Sequence, residues 1–216
     1  MAATPPHPAP VDRPAPAPPP VVGLLLAAGG GRRLGGRPKA LLRLRERPLV
    51  EHALEVLRAG GCGPLVVVLG AAREQVLATA ALDGCTVVAN PDWEQGMGGS
   101  LRAGLAAVAA LPGPCSAVLV SLVDTPGVTP AAVTRLLAAH REGAALAAAG
   151  YHGRRGHPVL IGAAYLAEAA AGAHGDAGAR TLLTERQDRL RLVECADVAV
   201  PDDLDTPADL ARWSAG

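Results

Sequence analysis

Aromatic residues are scarce: among 216 residues there are two Trp, two Tyr and no Phe, 2% in all. That removes the stacking platforms on which single-strand nucleic-acid binders depend. Charge of one sign is missing too. Twenty Lys+Arg offset twenty Asp+Glu, giving a formal net charge of +0, where a general nucleic-acid binder needs a basic surplus. Cysteines are few, and Cys62, Cys85, Cys115 and Cys195 form no CxxC pair. A zinc site or disulfide framework is thereby disfavoured, and a reducing compartment is expected. No apolar run approaches the ~20 residues needed to span a bilayer. The longest, 21–28 and 161–173, are short, and Glu168 interrupts the second. A basic region followed by an apolar run, as in a secretory signal, is also lacking. These absences predict a soluble cytoplasmic protein with neither nucleic acid nor membrane as partner. What the chain does have is bulk: 50% hydrophobic residues, at a length that suits one domain with a well-buried core.

Nine of the 20 prolines fall in the first 20 residues, a stretch with few backbone donors and little to bury. A disordered tail is expected over 1–20, and a single domain over 21–214. From Val21 the pattern alternates. Continuously apolar runs at 21–26, 64–69, 85–89 and 117–123 read as strands covered on both faces. Helix-like segments at 49–59, 74–81, 100–111 and 129–140 lie between them or follow them. Such alternation predicts an α/β fold with a doubly wound, mostly parallel sheet. Beyond residue 143 the rhythm loosens. Strands are read at 144–149, 158–161 and 190–193, and helices at 163–171, 177–186 and from Thr206 onward.

The most informative segment follows the first strand, Leu26-Ala-Ala-Gly-Gly-Gly-Arg-Arg-Leu-Gly-Gly-Arg-Pro-Lys39. Glycines let a backbone approach a ligand and turn its N–H groups inward as an anion-binding concavity. Three arginines and a lysine within eight residues can neutralise a polyphosphate. A Walker A loop is a poor fit, because Arg37 follows Gly36 and no hydroxyl residue comes next. The dinucleotide fingerprint GxGxxG fails as well. Gly29-x-Gly31 runs into Leu34, and the second strand ends in Gly70-Ala-Ala-Arg73 rather than a ribose-binding acid.

Acids appear where ligands of open α/β sheets bind. Asp124-Thr-Pro126 ends the fourth strand, and a carboxylate there suits Mg²⁺ as well as it suits the cap of the helix near Thr129. A second cluster, Asp202-Asp203-Leu-Asp205-Thr206-Pro207-Ala-Asp209, opens the last helix, with Thr206 as N-cap and Pro207 at its first position. Asp202 and Asp209 read as solvated. In Asn90-Pro-Asp-Trp-Glu-Gln-Gly96-Met-Gly-Gly-Ser100, small residues and a hydroxyl sit at a helix start, so Ser100 reads as an N-cap or a nucleotide contact. Gly156-His157-Pro158-Val159 and Gly175-Asp176-Ala-Gly178-Ala-Arg180 complete the motifs. Taken alone, His157 reads as a structural histidine, and Asp176 as a helix cap able to pair with Arg180.

Leu26-Ala-Ala-Gly29-x-Gly31-x-Arg33-Leu-Gly35 with Pro38-Lys39 resembles the signature loop of the nucleotidyltransferases, most closely the molybdenum cofactor cytidylyltransferases. Guanylyltransferase relatives read Leu-Ala-Gly-Gly and carry Asp-Lys where this chain has Pro38-Lys39. The resemblance spans about 21–211. It implies a Rossmann-like nucleotidyltransferase fold and a Mg²⁺-dependent transfer of a nucleoside monophosphate, CMP from CTP, onto a phosphorylated small-molecule acceptor, with release of pyrophosphate. It further implies that Leu26, Ala27, Ala28, Gly29, Gly30, Gly31, Arg32, Arg33, Lys39, Gly99 and Ser100 bind the nucleotide. Arg33, Lys39 and Asp124 would act in catalysis. Asp124 and Asp205, with Asp203 beside them, would hold the metal, and His157, Asp176 and Arg180 would serve the acceptor. Three alternatives stay open: guanylyl transfer to phosphoenolpyruvate or phospholactate, nucleotide binding without catalysis, and a Rossmann-type oxidoreductase. Balanced charge and the lack of an exposed apolar helix suggest a monomer.

Overall fold

The continuous apolar runs become the inner strands of one sheet. A computed structural model describes residues 18–214; residues 1–17, which make up most of the tail expected over 1–20, and 215–216 lie outside the described residues. In chain order the strands are β1 (Val21–Ala27), β2 (Arg43–Leu44), β3 (Arg47–Pro48), β4 (Leu65–Leu69), β5 (Cys85–Ala89), β6 (Ala117–Leu122), β7 (Leu146–Tyr151), β8 (Arg154–Gly162) and β9 (Leu190–Glu194). The helices are α1 (Leu49–Ala59), α2 (Arg73–Thr79), α3 (Met97–Ala109), α4 (Pro130–Arg141), α5 (Leu166–Gly172), α6 (Arg180–Glu185) and α7 (Pro207–Ser214).

Seven strands form the main sheet in the order β5-β4-β1-β6-β8-β7-β9. All pairs are parallel except those of β8, which runs antiparallel to β6 and β7. The expected mostly parallel, doubly wound sheet is therefore present. Side chains alternate between its faces. Leu25, Val67, Leu69 and Leu119 enter one core layer, and Leu24, Val66, Val68 and Val120 the other. Leu24, Leu25 and Leu119 are fully buried, and each Leu→Ala change there carries a cost of about 2–5 kcal/mol. Gly104 of α3 allows close helix–sheet contact, since a Cβ there would meet Leu24 at 2.5 Å.

β5 departs from the reading of strands covered on both faces. It is an edge strand, with Thr86 and Ala89 exposed. The β2–β3 hairpin had no counterpart in the sequence pattern. Its turn places Arg45 and Glu46 at positive φ (45° and 66°) without a glycine, so the usual Asn-Gly signal of such turns is missing. All four cysteines are free, and burial pushes the Cys62 thiol up to about 12.

Candidate active site

Parallel strands aim their carboxyl ends at one edge of the sheet, and the cleft lies there. β1 ends at Ala27 and the glycine loop follows it. Gly31 sits at φ 60°, and a Cβ on it would lie 2.0 Å from the Arg37 carbonyl oxygen. Only glycine fits that turn. Leu34, Ala40 and Leu42 are buried and pin the loop to the body, so the arginines are carried on an anchored backbone. As donors, the N–H groups of Gly29, Gly30 and Gly31 have no backbone acceptor among the described residues, which suits an anion concavity.

Lys39 opens the short helical turn Lys39–Leu41 and reaches the acids. Its Nζ donates to Asp124 Oδ2 and to Asp205 Oδ1, each at 2.6 Å. Arg33 Nη2 lies 3.1 Å from Asp205 Oδ2. Two acids 81 positions apart meet because the Leu204 N–H donates to the Asp124 carbonyl at 2.7 Å while the Leu204 side chain is fully buried. Burial alone would lower the Lys39 pKa, but attraction and hydrogen bonds from Asp124 and Asp205 outweigh it, so the ammonium is held above its ordinary value. Lys39 is 13% exposed and Asp124 21%, whereas Arg33 is 74% exposed. The Lys39 contacts therefore outweigh the Arg33 pair, which water screens.

The turn bearing Asp205 is itself fixed by Asp209. Asp209 Oδ2 accepts from the N–H groups of Asp205 (3.2 Å) and Thr206 (2.8 Å), and the Thr206 hydroxyl accepts from the Asp209 N–H at 3.2 Å. Thr206 is the cap expected from its sequence. Asp209, however, is a capping-box partner and not a solvated acid; the Thr-x-x-Asp spacing is the signal that identifies it. These bonds, from the Thr206 hydroxyl first and then from the backbone, hold the Asp209 carboxyl below its ordinary value.

Two pockets occupy the cleft. The first, about 530 Å³, is lined by Leu26, Ala28, Gly29 to Arg33, Lys39, Trp93, Glu94, Met97, Ser100, Asp124, Asp176 and Asp205, among others. The second, about 400 Å³, holds Arg155, His157, Asp176, Arg180, Pro201 and Asp203. Leu26, Met97, Leu122 and Asp176 line both, so the pockets adjoin.

Most of the expected nucleotide residues thus converge, and four placements differ from the sequence reading. The Ala27 side chain points into the opposite core layer, as strand alternation requires. A Cβ on Gly99 would lie 3.4 Å from the Asn90 amide nitrogen, and Gly99 does not line the first pocket. Ser100 is not an N-cap: α3 begins at Met97 after Gly96, and the Ser100 hydroxyl accepts from Asn90 Nδ2 at 2.9 Å from within the first turn. Asp203 lies on the second pocket and forms no ion pair with Lys39, though the Lys39 charge still reaches it. Its carboxyl is held above the ordinary value, first by desolvation and then by Asp124 and Asp205.

Toward the second pocket, α6 begins at Arg180 after Ala179. Asp176 does not cap it, and no ion pair joins Asp176 to Arg180. His157 is half-buried, and its Nδ1 is buried without a partner. Desolvation pushes its pKa below the ordinary value. Arg155, Trp93 and Glu94 escaped the sequence reading, although Trp93 and Glu94 stand inside the segment that opens α3.

The donor set suits a hard cation. Two carboxylates already converge on a single ammonium at 2.6 Å, and Mg²⁺ takes one or two carboxylates and completes its shell with phosphate and water oxygens. No cluster of three His, Cys, Asp or Glu suited to a metal occurs among the described residues, so any such ion would depend on substrate oxygens. No helix of the described residues is long and apolar enough to cross a membrane.

A family model described as the MobA-like NTP transferase domain matches residues 23–190. Nicotine blue oxidoreductase of Paenarthrobacter nicotinovorans is 43% identical over 199 residues, covering 89% of this chain and 95% of that protein. The crystal structure of Rv0371c from Mycobacterium tuberculosis H37Rv superposes with a TM-score of 0.79 at 32% identity, covering 93% of this chain and 100% of that one. A complex of Rv0371c with manganese gives a TM-score of 0.74 at 30% identity, covering 91% and 99%. The chain belongs to the MobA-like NTP transferase family and is a nucleotidyltransferase.

Proposed function

We propose that the protein transfers CMP from CTP onto a phosphorylated cofactor such as molybdopterin, releasing pyrophosphate. One observation carries the reading: Lys39 stands at the foot of the glycine loop, 2.6 Å from both Asp124 and Asp205. The base follows from Pro38-Lys39 and Leu26-Ala-Ala-Gly29, the cytidylyltransferase form of the loop.

The barrier is chiefly repulsion between two anionic reactants. Two unit charges 4 Å apart interact by roughly 4 kcal/mol at an effective dielectric of 20. Positioning and neutralisation therefore carry catalysis. The N–H groups of Gly29 to Arg32 hold the β- and γ-phosphates, and Arg33 offsets charge on the departing pyrophosphate. Lys39 turns from the carboxylates to the α-phosphate. A phosphate oxygen of the acceptor, already ionised, attacks the α-phosphorus as the bond to pyrophosphate breaks, so no general base is required. Asp124 and Asp205 would hold Mg²⁺, with Asp203 at the margin, and the ion would supply charge neutralisation between the reacting phosphates. The manganese complex of the M. tuberculosis relative supports a divalent cation in this fold. His157, Asp176 and Arg180 face the acceptor. The working form is a cytoplasmic monomer.

The test is a triphosphate panel with Mg²⁺, read as thermal shift and as pyrophosphate release with a phosphorylated pterin acceptor. CTP should stabilise the protein most and support release. GTP preference with phosphoenolpyruvate or phospholactate would favour the guanylyl alternative, and binding without release a non-catalytic role. A second reading draws on the 43% identity to an enzyme named as an oxidoreductase of nicotine blue. Stabilisation by NAD(P)H with none by any triphosphate would favour it.

A further inference from the structure

The two carboxylates that meet at Lys39 are carried by segments that pair with each other in antiparallel order. The Leu204 N–H donates to the Asp124 carbonyl at 2.7 Å, and the Val200 N–H to the Gly127 carbonyl at 3.0 Å. The Thr129 hydroxyl donates to the Val198 carbonyl at 2.9 Å. These bonds set the register between residues 124–129 and 198–204. A slip of one residue in such pairing redirects side chains, and would carry Asp205, next to Leu204, off Lys39.

Helix α7 touches both segments with one face. Asp209 and Trp213 lie four residues apart, one turn, on the same side of the helix. Asp209 Oδ2 accepts from the N–H groups of Asp205 and Thr206. Trp213 reaches the other segment: a Cβ on Gly127 would lie 2.9 Å from Trp213 Cη2 and 2.5 Å from the Val200 carbonyl oxygen. Gly127 has no positive φ, so lack of space, and not backbone conformation, excludes a side chain there. The indole thus bears on the Asp124 segment at the point where Val200 pairs with it. From α1, His52 Nε2 lies 3.3 Å from the Pro126 carbonyl oxygen and braces the same segment. Trp213 is half-buried and lines neither pocket of the cleft. It lies instead on a separate groove of about 990 Å³, with Pro126, Gly127, Val198 and Val200.

We propose that Trp213 is a positioning residue for the carboxylate pair. Its ring backs Gly127 and keeps the two segments in register, so that Asp124 and Asp205 can share one partner, Lys39 at rest and a divalent cation in the reaction. The inference rests on the proposed reading of these acids as metal ligands. Amide exchange, which needs neither metal nor substrate, tests its backbone part independently.

In the full chain, Trp213→Ala should speed exchange of the Val200 and Leu204 N–H groups, because protection is lost where the structure opens locally. The Mg²⁺ concentration for half-maximal pyrophosphate release, with CTP and a phosphorylated pterin, should rise on the order of tenfold, as when a group that orients a metal ligand is lost. Trp213→Phe should recover most of both effects. Gly127→Ala crowds the same contact from the other side and should shift both readouts in the direction of Trp213→Ala, so it decides the matter if Trp213→Ala does not fold. Val108→Ala is the control. Val108 is buried near the end of α3 in the other core layer, so its loss should lower the melting temperature and leave both readouts unchanged. Unchanged exchange, an unchanged Mg²⁺ requirement, or the same two shifts in Val108→Ala would overturn the positioning role and leave the proposed transfer standing. Absence of pyrophosphate release from the parent chain would remove both.

Discussion

The two pockets that meet at Asp176 carry their charge in opposite ways. In the first, the cations Lys39 and Arg33 are already matched to Asp124 and Asp205. In the second, Arg155 and Arg180 pair with no carboxylate among the described residues. A triphosphate entering the first pocket must draw Lys39 away from the two acids. An anion entering the second can reach Arg155 and Arg180 without breaking an ion pair, although Asp176 and Asp203 share the lining. The first pocket is thus a site that must rearrange to take an anion, and the second one whose arginines are engaged in no ion pair beforehand.

The strongest way to break that contrast is to damage the matched side. Asp124→Asn keeps a hydrogen-bond acceptor for Lys39 but removes a charge. Turnover should fall about 10³-fold with little change in melting temperature, since this magnitude is typical of losing a preorganised electrostatic group. Pyrophosphate release measured against Mg²⁺ concentration checks it; near-normal turnover with normal metal dependence would end the metal assignment. Lys39→Ala should cost on the order of 10²-fold in kcat. It also leaves two carboxylates facing each other, a repulsion of roughly 3 kcal/mol at about 5 Å and an effective dielectric of 20. Thermal unfolding should therefore show a loss of stability that Asp124→Asn does not share, and added divalent cation should restore it.

How much of this contrast was legible beforehand follows from chain geometry. The matched side was largely readable, because Leu26 to Lys39 are contiguous and Asp124 ends a strand whose burial pattern is unmistakable. Asp205 was reachable only through a family likeness. Nothing local reveals that Leu204 ties it to Asp124 through one backbone bond. Asp209 was misread although its Thr-x-x-Asp spacing was present, because an acid beside other acids looks solvated. The unmatched side was harder. Arg155 sits on β8, the one strand that breaks the parallel pattern, and its neighbours in space come from α6 and from the chain near Pro201. Alanine-rich stretches around 163–186 blurred element ends, since alanine fits helix interiors and buried strands alike, and the helix read at 177–186 begins only at Arg180.

Perturbing the unmatched pocket sharpens the comparison with smaller effects. Arg155→Ala should raise the KM for the phosphorylated acceptor about tenfold, the usual size of one lost charge-assisted hydrogen bond. The KM for the triphosphate should stay unchanged. A rise in both would mean that the pockets share one anion grip, and the contrast would fail.

The smallest effect belongs to His157, and its sign can be worked out. Burial depresses its folded-state pKa, and Arg155 and Arg180 depress it further, while Asp124 and the Val120 backbone oppose them. In the unfolded chain it protonates near 6.5. Below that pH the unfolded state binds more protons than the folded state, so stability falls as pH falls through and below 6.5 and is fully present above it. Melting temperatures measured between pH 7 and pH 5 should decline less steeply in His157→Gln than in the parent chain. Loss of water around the ring, ahead of the two arginines, is what sets the pocket against a charge on His157. An anionic acceptor bound there should offset the two arginines and flatten the parent's slope in part. Identical slopes in both proteins, with and without inorganic phosphate, would mean that folding does not depress the His157 pKa.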